Sequence, residues 1–269
     1  EKTVREAVAN AGLTMDGIAS VGVGCPGTCN LETGVVEYSN NLKFENLPLR
    51  DMLKGRLNKE VYIENDANAA ALGEALAGAA RGAKSCVCIT LGTGVGGGII
   101  IDGKIYSGFN FAGAELGHTV IVVDGEACTC GRRGCWEAYA SATALIRQTR
   151  TAMAKHPESL LWKLAGSFEN VNGRTAFDAM RAGDPVGQQV VDTYIRYIGC
   201  GLVNMINIFQ PEVLCIGGGI CNEGETLLAP LREYIAAERY SRHSVRQTKL
   251  CRATLGNDAG VIGAASLKA

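Results

Sequence analysis

Residues 115–137 read Glu-Leu-Gly-His-Thr-Val-Ile-Val-Val-Asp-Gly-Glu-Ala-Cys-Thr-Cys-Gly-Arg-Arg-Gly-Cys-Trp-Glu, and the rest of the chain can be interpreted outward from this stretch. Its cysteines, Cys128, Cys130 and Cys135, follow His118 in a loop that contains glycine. Thiolate and imidazole are the ligands that a tetrahedral zinc ion prefers, and a structural site uses four of them. A disulfide and buried free thiols are the alternatives, and the C-x-C-x4-C spacing differs from that of common zinc fingers. We predict a closed zinc site formed by these four side chains.

Two carboxylates flank the predicted metal ligands. Glu115 lies three residues before His118, and Glu137 lies two residues after Cys135. A carboxylate held beside a rigid metal loop is well placed to accept hydrogen bonds from a polyol. The alternative is that both are ordinary solvated glutamates, and their positions alone do not decide between the two interpretations.

The composition narrows the class of protein. The chain has 269 residues, with 26 basic and 27 acidic side chains, and no basic stripe that would indicate binding to nucleic acid or to an anionic membrane surface. The apolar runs are short and interrupted by glycine, so no transmembrane helix is predicted. Eight of the eleven cysteines lie outside the loop, and four of these, Cys86, Cys88, Cys200 and Cys215, lie in apolar runs. This scatter indicates a reducing compartment rather than a disulfide framework, and we predict a cytoplasmic location.

A strand runs directly into a helix at Asp66. The segment Glu60–Glu64 is predicted to be a strand, and Asn65-Asp66-Ala67-Asn68 opens an alanine-rich helix that reaches about Ala80. Open α/β sheets bind their ligands at such carboxyl ends of strands, next to helix N-termini. Helix capping is the alternative. Because two carboxamides around a carboxylate exceed what a cap requires, we favour a functional site.

Two glycine runs also follow predicted strands. Gly92–Gly98 joins the strand Cys86–Leu91 to a strand that ends at Ile101, and Gly217–Gly219 follows another strand. Neither run is a Rossmann or Walker motif. Backbone amides in such turns, together with the Thr93 hydroxyl, can bind phosphate. Close strand packing is the alternative interpretation.

The remaining pattern indicates an α/β protein. Asp102-Gly103 is a strong signal for a β-hairpin. A proline directly after Asp184 starts a long helix that ends near Phe209. Further helices are predicted over residues 1–11, 47–57, 142–154, 175–182, 223–239 and 255–265, and further strands over 18–25, 35–38, 212–216 and 249–254.

With these motifs in chain order, the sequence resembles the ROK family (bacterial repressors, open reading frames and sugar kinases), in particular its glucokinases. The resemblance covers essentially the whole chain. The cysteine loop is its most specific part, and the glycine runs alone would not carry it. The motifs are Glu-Asn-Asp-Ala-Asn-Ala (64–69), Leu-Gly-Thr-Gly-Val-Gly-Gly-Gly (91–98), Glu-Leu-Gly-His (115–118), Cys-Thr-Cys-Gly-Arg-Arg-Gly-Cys-Trp-Glu (128–137), Ile-Gly-Gly-Gly (216–219) and Leu-Gly-Asn-Asp-Ala-Gly-Val-Ile-Gly-Ala-Ala (255–265).

The resemblance implies an actin/hexokinase-like, that is, ribonuclease H-like, α/β fold of two ATPase domains around a cleft. Residues 1–68 plus 256–269 would form the smaller domain, and 69–255 the larger domain with the zinc loop. A homodimer or homotetramer is expected. Asp66 would be the catalytic base that accepts the proton of the sugar C6 hydroxyl as it attacks the γ-phosphate of ATP, with Mg²⁺ offsetting the phosphate charge.

The family also implies roles for the other candidates. Zinc would be architectural, with His118 both binding the metal and facing the sugar. The implied sugar-binding residues are Asn41, Asn65, Asp66, Glu115, His118 and Glu137; the nucleotide-binding residues are Thr93, Gly94, Gly217, Gly218 and Gly219; and the zinc ligands are His118, Cys128, Cys130 and Cys135.

The chain departs from the family in one respect. Family kinases begin with a strand that carries Asp-x-Gly-Gly-Thr, and this motif does not occur in the 269 residues. We therefore expect an N-terminally incomplete kinase that is inactive or very weak by itself, with an exposed sheet edge. A sugar-responsive repressor of the same family, and a kinase for N-acetylmannosamine, allose or fructose, are the alternatives.

Overall fold

The structure is a computed structural model, and it describes residues 1–39 and 42–268. The helices and strands have the following bounds. The helices are α1 Lys2–Asn10, α2 Leu49–Leu57, α3 Asp66–Ala77, α4 Glu137–Ala140, α5 Ala142–Lys155, α6 Leu160–Ala165, α7 Thr175–Arg181, α8 Pro185–Phe209, α9 Glu225–Glu238 and α10 Asp258–Ala265. The strands are β1 Ser20–Cys25, β2 Thr28–Asn30, β3 Val35–Ser39, β4 Phe44–Leu47, β5 Glu60–Asn65, β6 Cys86–Leu91, β7 Val95–Ile101, β8 Lys104–Ile105, β9 Val213–Gly217 and β10 Lys249–Arg252.

The described strands form three sheets. β1 pairs with β5, the strands β2, β3 and β4 form an antiparallel sheet, and a five-stranded sheet has the order β10-β9-β6-β7-β8. By its internal contacts the chain divides into two compact units. The first unit is Glu1–Cys88, Gly98–Ala114 and Thr254–Ala269, and the second unit is Ile89–Gly97 and Glu115–Ala253.

In the first unit, the parallel pair β1 and β5 sets the position of Asp66. Their register runs from Ser20 opposite Glu60 to Cys25 opposite Asn65, so the carboxyl ends of both strands lie side by side. Apolar side chains of β1, β2, β3 and β5 form one buried cluster beneath these ends. The cluster fixes the level at which β5 ends and α3 begins.

Helices α3 and α10 pack closely because glycines face the partner backbone. A Cβ at Gly263 would lie 1.7 Å from the carbonyl oxygen of Ala69, and one at Gly73 would lie 2.1 Å from that of Ala259. Real Cβ atoms do not approach so closely, so glycine is required at both positions. This confirms that the C-terminal helix packs through its glycine and alanine face.

In the second unit, the long helix α8 supports the end of the cysteine loop. Asp184 caps it by accepting hydrogen bonds from the backbone N–H groups of Val186 and Gly187. Gly201 of α8 leaves room for the buried ring of Trp136, whose Nε1 donates to the Tyr197 carbonyl oxygen at 2.9 Å. The residue that follows Cys135 is therefore anchored in the core.

Most of the predicted elements are confirmed, and the α/β class with them. The hairpin at Asp102-Gly103 is present, with φ values of 50° and 75° at its two central residues. The short elements α4, α6, β2 and β4 were not predicted. The two compact units are defined by internal contacts, whereas the predicted domains are defined by their closure around a substrate. The predicted domain boundaries therefore stay a prediction. Within the described residues, none of the helices combines the length and the apolar character that a membrane span requires.

The close approach of α3 and α10 predicts the effect of adding one methyl group. Gly263→Ala should lower the free energy of unfolding by about 1–3 kcal/mol, because the new Cβ overlaps the Ala69 carbonyl. Gly260→Ala in the same helix is the matched control, since a Cβ there meets nothing within 4 Å. Urea unfolding of both variants measures the difference. Equal midpoints for the two would contradict this packing.

Candidate functional site

Asp66 lies at the junction of β5 and α3 with its side chain exposed. Asn65 is the N-cap residue, and its Oδ1 accepts hydrogen bonds from the N–H groups of Ala67 at 2.9 Å and Asn68 at 3.2 Å. The Asp66 carboxylate accepts from the N–H of Ala67 at 3.0 Å. Because Asn65 satisfies the helix N-terminus, the Asp66 carboxylate is not needed for capping.

The amide nitrogen of the Asn65 side chain is hydrogen-bonded to the turn after β1. Its Nδ2 donates to the carbonyl oxygen of Gly27 at 3.1 Å. Gly27 has φ of 109°, and a Cβ there would lie 2.1 Å from the Tyr38 carbonyl oxygen, so the turn has little freedom to move. An amide nitrogen carries two hydrogens, so one remains on Asn65 for a ligand.

A buried carboxylate lies beneath this junction and was not predicted as a functional residue. Glu64 is 3% exposed. Its Oε1 accepts from the Asn65 N–H at 2.8 Å and the Asn68 Nδ2 at 3.1 Å, and its Oε2 accepts from the Ser107 hydroxyl at 3.2 Å. A glutamate directly after the buried residues Val61 and Ile63 of this strand, and directly before Asn65, is the signal that could have identified it. Glu64 holds the first turn of α3 in place.

In the second unit, the four predicted metal ligands converge. The ligand atoms of His118, Cys128, Cys130 and Cys135 lie within 4.8 Å of one another. The Cys128 Sγ is 3.6 Å from the His118 Nδ1, and the Sγ atoms of Cys130 and Cys135 are 3.7 Å apart. Zinc bonds of about 2.3 Å to sulfur and about 2.0 Å to nitrogen place tetrahedral ligands about 3.8 Å apart for two sulfurs and about 3.5 Å apart for sulfur and nitrogen. All three cysteines are free thiols, so the disulfide alternative is not observed. The cluster therefore fits a zinc ion.

Backbone hydrogen bonds and glycine shape the loop that carries these thiols. The Cys128 N–H donates to the Arg132 carbonyl at 2.9 Å, and the Gly131 N–H donates to the Cys128 carbonyl at 3.0 Å. Gly134 has φ of 79°, and a Cβ there would lie 1.7 Å from the Val122 carbonyl oxygen. Only glycine fits there, so the loop can bring Cys135 back beside the other thiols.

Burial favours the neutral thiol at two of the three cysteines of this cluster. Burial, followed by the hydrogen bonds of the neighbouring thiols, raises the pKa of Cys135 to about 12. Burial also raises the pKa of Cys128. A divalent cation favours the thiolate form, so metal binding would release protons and offset the burial of the sulfurs.

Glu137 connects the cysteine loop to the first glycine run. Its Oε2 accepts from the Val95 N–H at 2.9 Å, and its Oε1 lies 3.7 Å from the Cys128 Sγ and 3.5 Å from the Thr129 hydroxyl. A Cβ at Gly94 would lie 2.3 Å from the Glu137 Oε2. Glu137 is therefore not an ordinary solvated glutamate.

His118 presents its two ring nitrogens to different partners. Nδ1 faces the Cys128 sulfur, whereas Nε2 lies 3.9 Å from the Glu115 Oε2. Glu115 is exposed. The imidazole can thus bind a metal on one side while its other nitrogen points to a carboxylate at the surface of the unit.

The two glycine runs meet within the second unit. Gly218 has φ of 96°, and a Cβ there would lie 2.2 Å from the carbonyl oxygen of Leu91, the residue before Gly92. The Thr143 hydroxyl donates to the Thr93 carbonyl at 2.8 Å, and the Thr93 side chain is exposed. The turns after β6 and β9 are therefore neighbours, and Glu137 lies against the first of them.

The candidate residues thus fall into two groups. Asn65 and Asp66 lie together in the first unit. Asn41 lies outside the described residues. The second unit contains Glu115, His118, Glu137, the three cysteines Cys128, Cys130 and Cys135, and the glycine turns with Thr93, Gly94, Gly217, Gly218 and Gly219.

Comparison with known proteins identifies relatives over nearly the full chain. The sequence profile of the ROK family matches residues 1–269. The glucokinase of Thermotoga maritima is 43% identical over 248 residues, which cover 92% of this chain and 78% of that protein. The xylose repressor of Caldicellulosiruptor bescii is 35% identical over 235 residues, which cover 86% of this chain and 58% of that protein.

A solved structure also matches. The ROK family glucokinase from Streptomyces griseus, in complex with glucose and AMPPNP, superposes with a TM-score of 0.82 at 37% identity, covering 99% of this chain and 86% of that one. This likeness confirms the predicted actin/hexokinase-like ATPase fold class.

The Glu64 network predicts a large cost of removing one buried carboxylate. Glu64→Ala should lower the free energy of unfolding by about 2–4 kcal/mol, because three donors lose their acceptor, two of them side chains of buried residues. Glu60→Ala on the same strand is the control, since Glu60 forms an exposed ion pair with Lys54. Urea unfolding should show a much larger loss for Glu64→Ala. Equal losses would show that the buried bonds do not hold the junction.

Proposed function

The chain belongs to the ROK family, and from that membership we propose that it is a sugar kinase that phosphorylates glucose to glucose 6-phosphate with ATP. The observation that carries the proposal is the exposed Asp66 carboxylate. It is available for catalysis because the Asn65 side chain, not Asp66, is the N-cap of α3. The glucokinase relatives, at 37–43% identity over most of the chain, support the same reaction.

In the proposed mechanism Asp66 is the general base. Its carboxylate accepts the proton of the sugar C6 hydroxyl while that oxygen attacks the γ-phosphate. Phosphoryl transfer depends on a positioned nucleophile and on offsetting phosphate charge, which Mg²⁺ bound with ATP supplies. The hydrogen bonds of Glu64 and Asn65 hold the first turn of α3, and therefore keep Asp66 in a fixed place.

We further propose that Asn65, Glu115, Glu137 and His118 bind the sugar. The remaining amide hydrogen of Asn65 can be donated to one sugar hydroxyl. Glu115, Glu137 and His118 can form hydrogen bonds with other hydroxyls of the sugar. Support comes from the bonds of Glu137 to the glycine turn and from the position of Glu115 beside the imidazole. Asn41 is proposed as a sugar ligand on the family resemblance alone.

For the nucleotide we propose the turns Thr93-Gly94 and Gly217–Gly219. A Cβ at Gly92 or at Gly219 would meet nothing within 4 Å, so open space adjoins the backbone there. Backbone N–H groups in glycine turns can approach phosphate oxygens closely. The Streptomyces griseus relative, whose complex contains AMPPNP, supports an ATP site in this fold.

The proposed zinc ion is structural. Its support is that the ligand atoms of His118, Cys128, Cys130 and Cys135 lie within 4.8 Å of one another, and that the two separations of 3.6 Å and 3.7 Å are close to those of tetrahedral coordination. The ion would fix the loop that ends at Glu137 and the orientation of the His118 ring. It takes no part in phosphate transfer, because four protein ligands leave no open coordination position.

A sugar-responsive repressor is the second candidate, favoured by the xylose repressor relative. That protein is longer, since the aligned region is 58% of it, against 78% of the Thermotoga maritima glucokinase. The exposed Asp66 carboxylate and, in the second unit, the two neighbouring glycine turns favour the kinase. If the chain is instead a kinase for N-acetylmannosamine, allose or fructose, a substrate panel on the full-length protein would show a preference for that sugar over glucose.

We also propose that the protein is a cytoplasmic homodimer or homotetramer. The eleven free cysteines support a reducing location.

Replacement of the proposed base should separate binding from turnover. Asp66→Asn in the full-length protein should lower kcat roughly 10²–10⁴-fold, because the amide cannot accept the hydroxyl proton. The Kd for glucose, measured by calorimetry, should stay within about threefold. Asp51→Asn on α2 is the control and should leave both unchanged. Retained turnover in Asp66→Asn would remove the general-base assignment.

Loss of one metal ligand should weaken both metal and sugar binding. Cys130→Ala should reduce the zinc content to well below the one ion per chain expected for the wild-type protein. It should also raise the Kd for glucose roughly tenfold or more, because the loop that ends at Glu137 would no longer be fixed by the metal. Cys200→Ala, which removes a half-buried thiol of α8, is the matched control. Elemental analysis and calorimetry give the two quantities. A zinc-free Cys130→Ala protein with normal glucose affinity would show that the ion does not organise the loop.

A further inference from the structure

Two thiols outside the metal cluster lie next to each other below Asp66. Cys25 ends β1 and Cys29 lies in β2, with only the turn Pro26-Gly27-Thr28 between them. The Cys29 Sγ donates to the Cys25 carbonyl oxygen at 3.6 Å, and the Cys25 Sγ donates to the Pro26 carbonyl oxygen at 3.6 Å. Both are buried, with 4% and 1% of their surfaces exposed, and they belong to one apolar cluster.

The two thiols differ in acidity in the way that a reactive pair requires. The hydrogen bond from Cys29 lowers the pKa of Cys25, and this effect exceeds that of burial. The same hydrogen bond, followed by burial, raises the pKa of Cys29 well above its usual range. Cys25 is thus the better nucleophile, and Cys29 keeps its proton until a partner accepts it.

We propose that Cys25 and Cys29 form a redox-modification site, in which a peroxide converts the thiol pair into a reversible disulfide. The Cys25 thiolate attacks one oxygen of hydrogen peroxide and breaks the O–O bond, which gives a sulfenic acid and hydroxide. The Cys29 sulfur then attacks the sulfenic sulfur, the S–S bond forms, and the leaving hydroxide takes the Cys29 proton as water. The two thiols lose two electrons and two protons in total, and the peroxide becomes two water molecules.

The disulfide would disturb the support of Asp66. An S–S bond of about 2.0 Å imposes its own geometry on the two cysteines, and the short turn between them has to follow it. Gly27, in the middle of that turn, has no space toward Tyr38, and its carbonyl oxygen accepts the Asn65 amide at 3.1 Å. Cys25 is also the register partner of Asn65. Oxidation therefore acts on the residue that caps α3, and this consequence for turnover rests on the proposed kinase function.

The first test maps the bond itself and needs no activity. The full-length protein is treated with hydrogen peroxide at a dose that leaves its zinc content unchanged, free thiols are alkylated, and tryptic peptides are weighed. Peptide 6–43 contains Cys25 and Cys29 as its only cysteines. We expect this peptide from the oxidised protein to carry no alkyl group and to be two hydrogen atoms lighter than the reduced peptide. After dithiothreitol treatment followed by alkylation, it should carry two alkyl groups. Double alkylation without prior reduction would overturn the proposal.

The second test links the bond to turnover. Wild-type protein should lose at least fivefold in glucose phosphorylation after oxidation and regain it with dithiothreitol, whereas Cys29→Val should lose less than twofold. Valine fills a similar volume in the buried cluster, and Cys200→Ala controls for an unrelated thiol. Equal losses in wild type and Cys29→Val would overturn the effect on Asp66. If the reduced protein phosphorylates no sugar, the kinase proposal fails while the peptide map still decides the disulfide.

Discussion

The convergence of one imidazole and three thiols is the constraint on which the proposed site depends. Between Thr119 and Trp136, all of which the structure describes, the loop has no helix and no extended strand, only isolated bridges from Val120 to Cys135 and from Ala127 to Arg133. Scattered backbone hydrogen bonds cross this segment, such as the one from the Ile121 N–H to the Gly134 carbonyl at 2.9 Å, but no regular element holds it. Four ligand atoms within 4.8 Å give it one shape if a cation joins them.

That shape has consequences on both sides of the loop. Trp136 is anchored against α8, so Glu137 begins α4 in a fixed place and can bond to the Val95 N–H across the glycine turn. His118 faces the thiols with one nitrogen and Glu115 with the other. The loop and the first glycine turn are thus parts of one arrangement in the second unit. The strand tip in the first unit has its own support in Glu64 and Asn65.

Features that depend on local pattern could be predicted from the sequence. The start of α8 at Pro185, the hairpin at Asp102 and the junction at Asp66 follow from caps, turn residues and hydrophobic period. The capping alternative for the polar residues around Asp66 was correct for Asn65, which leaves Asp66 available. Features that depend on distant contacts could not be predicted. Glu64 bonds to Ser107, and Glu137 to Val95, across more than forty residues, and only the folded sheets bring them together.

The central proposal is that a zinc ion orders the loop that ends at Glu137, and that Asp66 accepts the proton of the sugar hydroxyl. Crystals of the full-length protein grown with glucose, and measured on both sides of the zinc absorption edge, test it most directly. The account predicts one anomalous peak per chain among His118 and the three cysteines, with glucose hydroxyls bonded to Glu137 and the C6 hydroxyl within hydrogen-bond distance of Asp66. Absence of the peak in a crystal that binds glucose, or a C6 hydroxyl far from Asp66, would contradict it.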